Sequence, residues 1–447
     1  MFTKYKFLYF LFDSTFFKYW YVIPMAMKIY IEGFDEKGYG VGNNIHVPFA
    51  YPGDIVEVKV RRKGKKKIGE IVKIIEESPY RTSNKYCAHL GKCGGCLWGL
   101  MDYQYQLEFK KKVIENLFGY DKDIIPSPKT IYYRNRMDYP IYNKVSLKEP
   151  GKWYGYIPIK ECKMLSKEAE IIINEFNKFI EKYKIPSWDT VKHTGFLRYL
   201  VIREGKFTKE RMIHIITYKR KKFEELWDFI ENIKDLVTSV YWGIREDLGD
   251  VSISEKLYHY YGSKFLRERI LDIEYYISPN SFFQTNSYQA VNLVKIVKEF
   301  LEPSENDVVL DLYSGVGLFS LQIANEVKKV IGIEIVEEAV EMAKLNASIN
   351  NIDAEFIASP VEKAPIIKAN KIIVDPPRAG LTNKAIEYIE KINPDTIVYV
   401  SCNPYTQKRD INKLKGYKII DMQPLDMFPN TPHIENVILM KKSRTTD

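Results

Sequence analysis

The chain has 447 residues, a 45% hydrophobic fraction and a formal net charge of +9. This length suffices for about two to four domains, and so hydrophobic a composition excludes an intrinsically disordered protein. Five cysteines, three of them close together, do not form the even-numbered disulfide framework of a small secreted protein. The basic balance with 14% aromatic residues suits nucleic acid, although a solvated lysine-rich surface explains the charge equally well.

Residues 1–26 are rich in aromatic side chains, but their apolar run over residues 7–12 ends at Asp13 and is too short to cross a membrane. No small-residue cleavage site of a signal peptide is visible. Strand-like sequence begins at Met27. We therefore interpret residues 1–26 as a non-native or unstructured extension, and we expect a cytoplasmic protein that does not associate with membranes.

Residues 27–83 have the pattern of an all-β domain. The stretches "IYIEGF" and "DIVEVKV" alternate apolar and polar residues, and glycines punctuate "EKGYGVGNN". One predicted edge carries the basic run "RRKGKKK" at residues 61–67. Short strands with a basic edge predict a small barrel of the oligonucleotide-binding type, and a β-domain without a ligand is the alternative.

Residues 84–275 mix helical and strand patterns and predict an α+β region. Helical spacing is present in "YQYQLEFKKKVIENLF" and "EAEIIINEFNKFIEKY", whereas "LRYLVIREG" and "RMIHIITY" have the composition of strands. Periodicity alone assigns no function to this region.

Three cysteines, Cys87, Cys93 and Cys96, lie in the stretch "YCAHLGKCGGC". One of the two distant cysteines, Cys162 or Cys402, could complete a four-thiolate site, which would leave the other for chemistry. The spacing favours zinc and an iron–sulfur cluster equally, because both accept four thiolates.

Residues 276–447 alternate short strands rich in valine and isoleucine with helical stretches. Five such strands precede two closing strands that have no helix between them. This order predicts a doubly wound, mostly parallel sheet. The closing strand pair is typical of methyltransferases rather than dehydrogenases.

The stretch "DLYSGVGLFS", residues 311–320, follows the first of these strands and opens a helix. Gly315 and Gly317 allow a ligand to approach the backbone closely. Glu334, at the end of the next strand, can accept hydrogen bonds from both hydroxyls of a ribose. A nicotinamide fingerprint needs a third glycine where Ser320 stands, which disfavours a dinucleotide oxidoreductase.

Two further motifs end later strands of the same predicted sheet. "VDPPRAGL" directs Asp375 into the crevice where doubly wound sheets bind ligands, and "VSCNP" places Cys402 in the same crevice. A cysteine there can be a small buried hydrophobe, but its neighbours favour a nucleophile. The stretch "PNTPHIENV" offers His433 and Glu435 near the start of the last strand.

The ordered motifs FFQTN, DLYSGVG, DPPRAG, SCNP and PHIENV together resemble the RNA uracil-C5 methyltransferase family, and the resemblance extends from Met27 over nearly the whole chain. It includes "YRNRMDYP" and the cysteine run in the middle of the chain. The resemblance implies a multi-domain α/β protein with a TRAM-type barrel over 27–83. It also implies a central α+β domain with an iron–sulfur site over 84–275 and a Rossmann-like, seven-stranded methyltransferase domain over 276–447.

The same resemblance implies the ligands. A [4Fe–4S] cluster would be held by four thiolates, and S-adenosylmethionine would be contacted by four side chains in the last domain. The expected cluster ligands are Cys87, Cys93, Cys96 and Cys162, and the expected cofactor contacts are Gln284, Tyr313, Glu334 and Asp375.

The resemblance implies that Cys402 adds to C6 of a flipped uracil, that C5 then takes the methyl group, and that Glu435 removes the C5 proton. The RNA is expected to be tRNA or large-subunit rRNA, and the sequence does not separate the two. We expect a monomer. The alternative, a non-catalytic RNA-binding iron–sulfur protein, predicts loss of Cys402 or Glu435, and both are present.

Overall fold

The structure is a computed structural model that describes residues 26–152, 154–220 and 222–443. Residues 1–25 of the predicted N-terminal extension lie outside this range. Within it, no helix is both long enough and apolar enough to cross a membrane.

The first unit is a six-stranded sheet that closes into a barrel, in the order β1-β5-β6-β4-β3-β2. Its strands are β1 (Met27–Tyr30), β2 (Gly33–Phe34), β3 (Gly40–Gly42), β4 (Ile45–Val47), β5 (Ile55–Lys63) and β6 (Lys66–Glu76). The strands at the two ends of this order, β1 and β2, are consecutive in the chain. The backbone N–H groups of Ile31 and Glu32 between them donate to Asp54 and Val41. This closure leaves no open edge, as the sequence predicted for a barrel.

The second unit is a seven-stranded mixed sheet in the order β13-β12-β11-β10-β7-β8-β9. Its strands are β7 (Arg136–Tyr142), β8 (Lys144–Lys148), β9 (Tyr156–Pro158), β10 (Leu197–Glu204), β11 (Arg211–Thr217), β12 (Ser239–Ile244) and β13 (Lys256–Gly262). The helices α2 (Lys167–Tyr183) and α3 (Leu226–Ile233) bury their apolar faces against it. Ser166 caps α2 by accepting a hydrogen bond from the backbone N–H of Ala169 at 3.3 Å.

The third unit is a doubly wound sheet in the order β18-β17-β16-β19-β20-β22-β21. Its strands are β16 (Val308–Leu312), β17 (Lys329–Glu334), β18 (Glu355–Ala358), β19 (Lys371–Val374), β20 (Thr396–Ser401), β21 (Tyr417–Leu425) and β22 (Glu435–Lys442). The first five are parallel, and β22 is antiparallel to both β20 and β21. The predicted seven-stranded sheet with two closing strands is confirmed. A hairpin of β14 (Leu266–Ile270) and β15 (Ile273–Ile277) precedes it.

Alternate residues of these parallel strands point to opposite faces, and each face has its own helices. One face is covered by α4 (Ser287–Leu301), α5 (Leu318–Ile323) and α6 (Glu337–Ile349). The other is covered by α1 (Tyr103–Phe118), α7 (Asn383–Ile392) and α8 (Pro404–Ile411). The helix α1 therefore packs on the third sheet, although it precedes the second sheet in the chain.

A buried ion pair fastens α1 to this sheet. Lys110 Nζ lies 2.6 Å from Asp426 Oδ1, and both side chains are fully buried. The Tyr103 hydroxyl donates to the second oxygen of Asp426 at 2.8 Å. Asp426 follows β21, so these contacts hold the start of the segment that leads to Glu435.

Candidate active site

Four of the predicted site residues lie at the carboxyl edge of the parallel strands. Tyr313 follows β16, Glu334 ends β17, Asp375 follows β19 and Cys402 follows β20. The strand order reverses between β16 and β19, and such a switch point opens a crevice for ligands. The structure thus brings these residues to one edge because their strands are parallel neighbours.

The turn after β16 has the geometry of a ligand cradle. Tyr313 has a φ of +64°, an unfavourable left-handed conformation for a tyrosine, and Gly317 has a φ of +87°. The backbone N–H of Gly315 donates to Glu334 Oε2 at 3.1 Å, and a Cβ added at Gly315 would meet no atom within 4 Å. In the described part of the chain, Ser314 Oγ is buried without a hydrogen-bond partner. The turn therefore has open space and an unused polar atom for a bound molecule.

Asp375 is held by a side chain from the loop before α4. Gln284 Nε2 donates to Asp375 Oδ2 at 3.1 Å, and Asn135 Nδ2 donates to the Gln284 carbonyl at 2.7 Å. Burial and then the charge of Asp311 raise the pKa of Asp375 to about 7, while the bond from Gln284 acts in the opposite direction. Two of the four predicted cofactor residues are thus in direct contact.

Glu435 is the first residue of β22, and its side chain is only 2% exposed. Burial and the neighbouring Asp375 raise the pKa of Glu435 well above its usual value. Burial, followed by the carboxylates of Glu435 and Asp375, raises the pKa of the Cys402 thiol to about 12. The two carboxyl groups and the thiol therefore belong to one desolvated group of side chains.

Arg378 is the cation that opposes these charges, because its guanidinium lowers the pKa of Cys402. Its carbonyl accepts hydrogen bonds from Asn403 Nδ2 and Thr406 Oγ1, both at 3.2 Å, which ties the Asp-Pro-Pro loop to the start of α8. Arg378 Nη1 donates to His433 Nε2 at 3.5 Å. Burial and then Arg378 lower the pKa of His433 to about 3, so this imidazole is neutral.

The remaining predicted ligands lie elsewhere, around a separate small cavity of about 20 Å³. Its lining includes Cys87, Cys93, Cys96 and Cys162, so the structure brings the four predicted cluster cysteines together. Three of these thiols are buried and Cys87 is partly exposed. His89 also lines the cavity.

The arrangement of these thiols bears on what they can bind. In the described part of the chain, no group of three or more His, Cys, Asp or Glu side chains is placed to hold a metal ion. The four thiols line one cavity, and a tetrahedral zinc ion would require all four to converge on one point. Each iron of a four-iron cluster takes a different thiolate, so its ligands stand farther apart.

Two buried hydroxyls beside the thiols also lack partners. Within the described residues, the hydroxyls of Tyr86 and Tyr139 are buried without an oxygen or nitrogen partner, and they face the thiols of Cys96 and Cys162 respectively. Buried hydroxyl groups are normally satisfied, so these two indicate room for an acceptor such as a sulfide.

Two residues that support the site were not predicted from the sequence. Arg203, on β10, is fully buried and donates to the carbonyls of Ser278 at 2.5 Å and Ser281 at 2.6 Å, in the loop that leads to Gln284. Asn135 lies within the motif "YRNRMDYP", but its bond to the Gln284 carbonyl was not predicted. An arginine in a strand is usually exposed, and only the fold shows that this one is buried.

Two family models match the chain. The tRNA (uracil-5-)-methyltransferase model matches residues 102–359 and 366–443, and the TRAM-domain model of tRNA (uracil(54)-C(5))-methyltransferases matches residues 27–80. A crystal structure of the Pyrococcus abyssi tRNA (uracil-54, C5)-methyltransferase in complex with S-adenosyl-L-homocysteine is also similar. It has a TM-score of 0.79 and 38% identity, and the alignment covers 93% of this chain and 100% of that one.

Two curated relatives are similar over their whole length. The tRNA (uracil(54)-C(5))-methyltransferase of Pyrococcus horikoshii is 43% identical over 413 residues, which are 92% of this chain and 99% of that protein. The 23S rRNA (uracil(747)-C(5))-methyltransferase of Pyrococcus abyssi is 37% identical over 426 residues, 93% of this chain and 100% of that protein. The chain therefore belongs to the tRNA (uracil-5-)-methyltransferase family, and the protein is an RNA (uracil-C5)-methyltransferase.

Proposed function

We propose that this protein transfers a methyl group from S-adenosylmethionine to C5 of uridine 54 in tRNA. The observation that carries the choice of tRNA is the barrel, because residues 27–80 match the TRAM-domain model of the tRNA (uracil(54)-C(5))-methyltransferases. The identity to a tRNA-specific relative, 43%, also exceeds the 37% to an rRNA-specific one.

A second candidate substrate is uridine 747 of 23S rRNA. The relatives that modify it align with 93% of this chain and with nearly all of their own length, so neither domain content nor length excludes it. Both candidates share the reaction and differ only in the RNA that the protein recognises.

Methylation of defined transcripts tests the choice. The protein is incubated with S-adenosylmethionine labelled in its methyl group and with a tRNA transcript, a matched transcript with cytidine at position 54, or a 23S rRNA fragment around uridine 747. We expect label in the first transcript alone. Label in the rRNA fragment with none in the tRNA would transfer the proposal to the second candidate.

The geometry supports a nucleophilic role for Cys402. Its thiolate adds to C6 of the uracil, and the electron pair of the C5–C6 double bond moves to the O4 side of the ring, so that C5 becomes nucleophilic. Arg378 opposes the carboxylates that disfavour the thiolate. Burial and the neighbouring carboxylates favour the protonated thiol, and its proton passes to solvent as the Sγ–C6 bond forms.

Glu435 is proposed to take the proton from C5 after methyl transfer. The electron pair of that C–H bond then restores the double bond and expels the thiolate of Cys402 from C6. A buried carboxylate is a stronger base than an exposed one, and Glu435 is buried beside Asp375. Glu435 then releases this proton to solvent and the thiolate of Cys402 regains a proton, which returns both groups to their starting state.

The turn after β16 and the loop of Asp375 are proposed to hold S-adenosylmethionine, which supplies an electrophilic methyl group when bound. Glu334 would accept hydrogen bonds from the ribose hydroxyls, and the open backbone at Gly315 lets the ligand approach. Tyr313 and Gln284 would complete the site, since Gln284 already bonds to Asp375.

The rate of methylation is expected to rise with increasing pH, because Glu435 must be ionised and Cys402 must lose its proton. Burial raises the pKa of both groups, and Asp375 adds to both shifts. Asp375→Asn removes that negative charge, so the rise should move to lower pH although the maximal rate falls. Single-turnover rates at saturating RNA and S-adenosylmethionine measure this, and a flat profile would contradict it.

We further propose that Cys87, Cys93, Cys96 and Cys162 hold a [4Fe–4S] cluster. The support is the shared cavity and the position of the buried Tyr86 and Tyr139 hydroxyls beside Cys96 and Cys162. Such a cluster would join the cysteine run to the segment before α2.

We also propose three domains: a barrel over 27–83, a central region over 84–275 and a catalytic region over 276–447.

Protein purified without oxygen is expected to be brown and to contain about four irons per chain. Cys162→Ala should lower the iron content sharply, because it removes the ligand that lies outside the cysteine run. Cys402→Ala is the matched control and should keep the full content. Metal analysis that found one zinc and no iron per chain would refute the cluster.

A further inference from the structure

A groove of about 580 Å³ lies where the barrel, the cysteine run and the second sheet meet. It is lined by Tyr39 of the barrel, by Gly94 and Gly95, by residues 147–150 at the end of β8 and directly after it, and by Tyr199 of β10. We propose that this groove binds the base of one unpaired nucleotide of the substrate RNA, at a distance from the methylated uridine. The proposal rests on the proposed function only in taking RNA as the substrate.

The groove is connected to the catalytic site through one turn of the barrel. The Gly38 carbonyl accepts a hydrogen bond from Trp98 Nε1 at 3.0 Å, and Gly38 lies directly against Pro432. The backbone N–H of Trp98 donates to the carbonyl of Asn430 at 3.0 Å. Within the turn over residues 35–39, Tyr39 therefore lies in the groove, and Gly38 contacts the segment before Glu435.

The charges of the groove favour a base over a phosphate. Each carboxylate of the lining has a cation beside it: Asp138 has Arg136 at 2.8 Å, Glu149 has Lys152 at 2.5 Å, and Asp250 has Lys148. The interior therefore has little net charge but keeps carboxylate oxygens that accept hydrogen bonds from the N–H groups of a base. The lysine of the lining, Lys148, is already paired with Asp250, so it is not free to bind a phosphate.

Phosphate binding fits the rim instead. Arg61 Nη2 and Lys63 Nζ both donate to the Gly151 carbonyl at 3.1 Å, which joins the basic edge of the barrel to the turn beside the groove. Residues 61–67 are exposed. A strand whose phosphates follow this edge can turn one base inward, as proteins that bind single strands arrange it.

The size and the walls also suit a base. The volume lies within the range of pockets for small ligands, about 300–1,000 Å³. Tyr39 is partly exposed, its hydroxyl approaches Gly151, and Pro150 lies on the same turn. A Cβ added at Gly95 would meet no atom within 4 Å, so the floor beside it is open. A planar ring can therefore lie against Tyr39 above a floor of backbone.

Substitution of Tyr39 tests the proposal with the tRNA transcript as the probe. Tyr39→Ala should raise the Kd for the transcript about tenfold, since it removes one stacking surface. It should leave the rate at saturating RNA and the salt dependence of binding unchanged, because no phosphate contact is lost. Tyr39→Phe should bind like the unmodified protein. Tyr183→Ala, at an exposed tyrosine outside the groove, is the matched control.

A transcript that contains 4-thiouridine provides a second measurement on the unmodified protein. Irradiation should attach it to the peptides of Tyr39 or Tyr199. Unchanged affinity of Tyr39→Ala, a reduced salt slope in that variant, or crosslinks confined to other peptides would overturn the proposal. A protein that binds the transcript through the groove without methylating it would disprove the proposed tRNA activity and leave the groove intact.

Discussion

Glu435→Gln protein, mixed with tRNA and S-adenosylmethionine, is expected to accumulate a protein–RNA complex that survives denaturant and carries the transferred methyl group. The variant keeps the Cys402 thiol, so the Sγ–C6 bond forms and C5 accepts the methyl. It lacks the base that removes the C5 proton, so the thiolate cannot leave. Turnover should fall by about 10²–10⁴-fold, the usual contribution of a general base.

Cys402→Ala should give neither the complex nor methylated RNA, because no bond to C6 can form. Denaturing gels with labelled methyl donor separate these outcomes. Glu355→Gln is a suitable control, since Glu355 lies on the edge strand β18 of the same sheet, paired with Lys329 at the surface. If Glu435→Gln turned over normally, the base would have to be another group, and Asp375 would be the next candidate. Methylation by Cys402→Ala would refute the covalent mechanism.

Asp426→Leu is expected to reduce the free energy of unfolding by about 3–5 kcal/mol, because it leaves the charge of Lys110 buried without its partner. Lys110 is fully buried, and desolvation lowers its pKa. The double variant Lys110→Met with Asp426→Leu should recover most of the loss, since an apolar pair of similar volume needs no compensation. Denaturant unfolding of the four proteins in this cycle measures the coupling.

The neighbouring residue supplies a control for this prediction. Lys111 forms a salt bridge with Asp123 at 2.7 Å, and the Asp123 side chain is 90% exposed. Lys111→Met should change the free energy of unfolding much less than Asp426→Leu does, because exposed pairs contribute little to stability. Equal effects of Asp426→Leu and Lys111→Met would show that burial of the pair is unimportant.

The periodicity of the sequence predicted the helices and strands well, because each pattern is local. The predicted helix "YQYQLEFKKKVIENLF" coincides with α1, and the five predicted parallel strands of the third sheet are all present. The crevice followed from the same logic, since parallel strands that end in Asp375 and Cys402 must end at one edge.

The packing between distant segments could not be predicted from these patterns. Lys110 lies in a helical pattern, where a lysine is normally exposed to solvent. Its burial becomes visible only in the fold, where it pairs with Asp426, 316 residues later in the chain. The groove beside Tyr39 is likewise formed by residues from six separate segments. No sequence periodicity or motif identifies residues that come into contact only when separate units of the protein pack together.

Because α1 covers one face of the third sheet, the chain is interleaved rather than modular. Ile114 and Phe118 of α1 share a core with strands that are translated much later. A gene fragment for residues 276–447 would therefore encode a sheet with one face partly uncovered, which favours aggregation. In evolution, this catalytic unit could not have been exchanged between proteins as a C-terminal cassette unless the α1 segment moved with it.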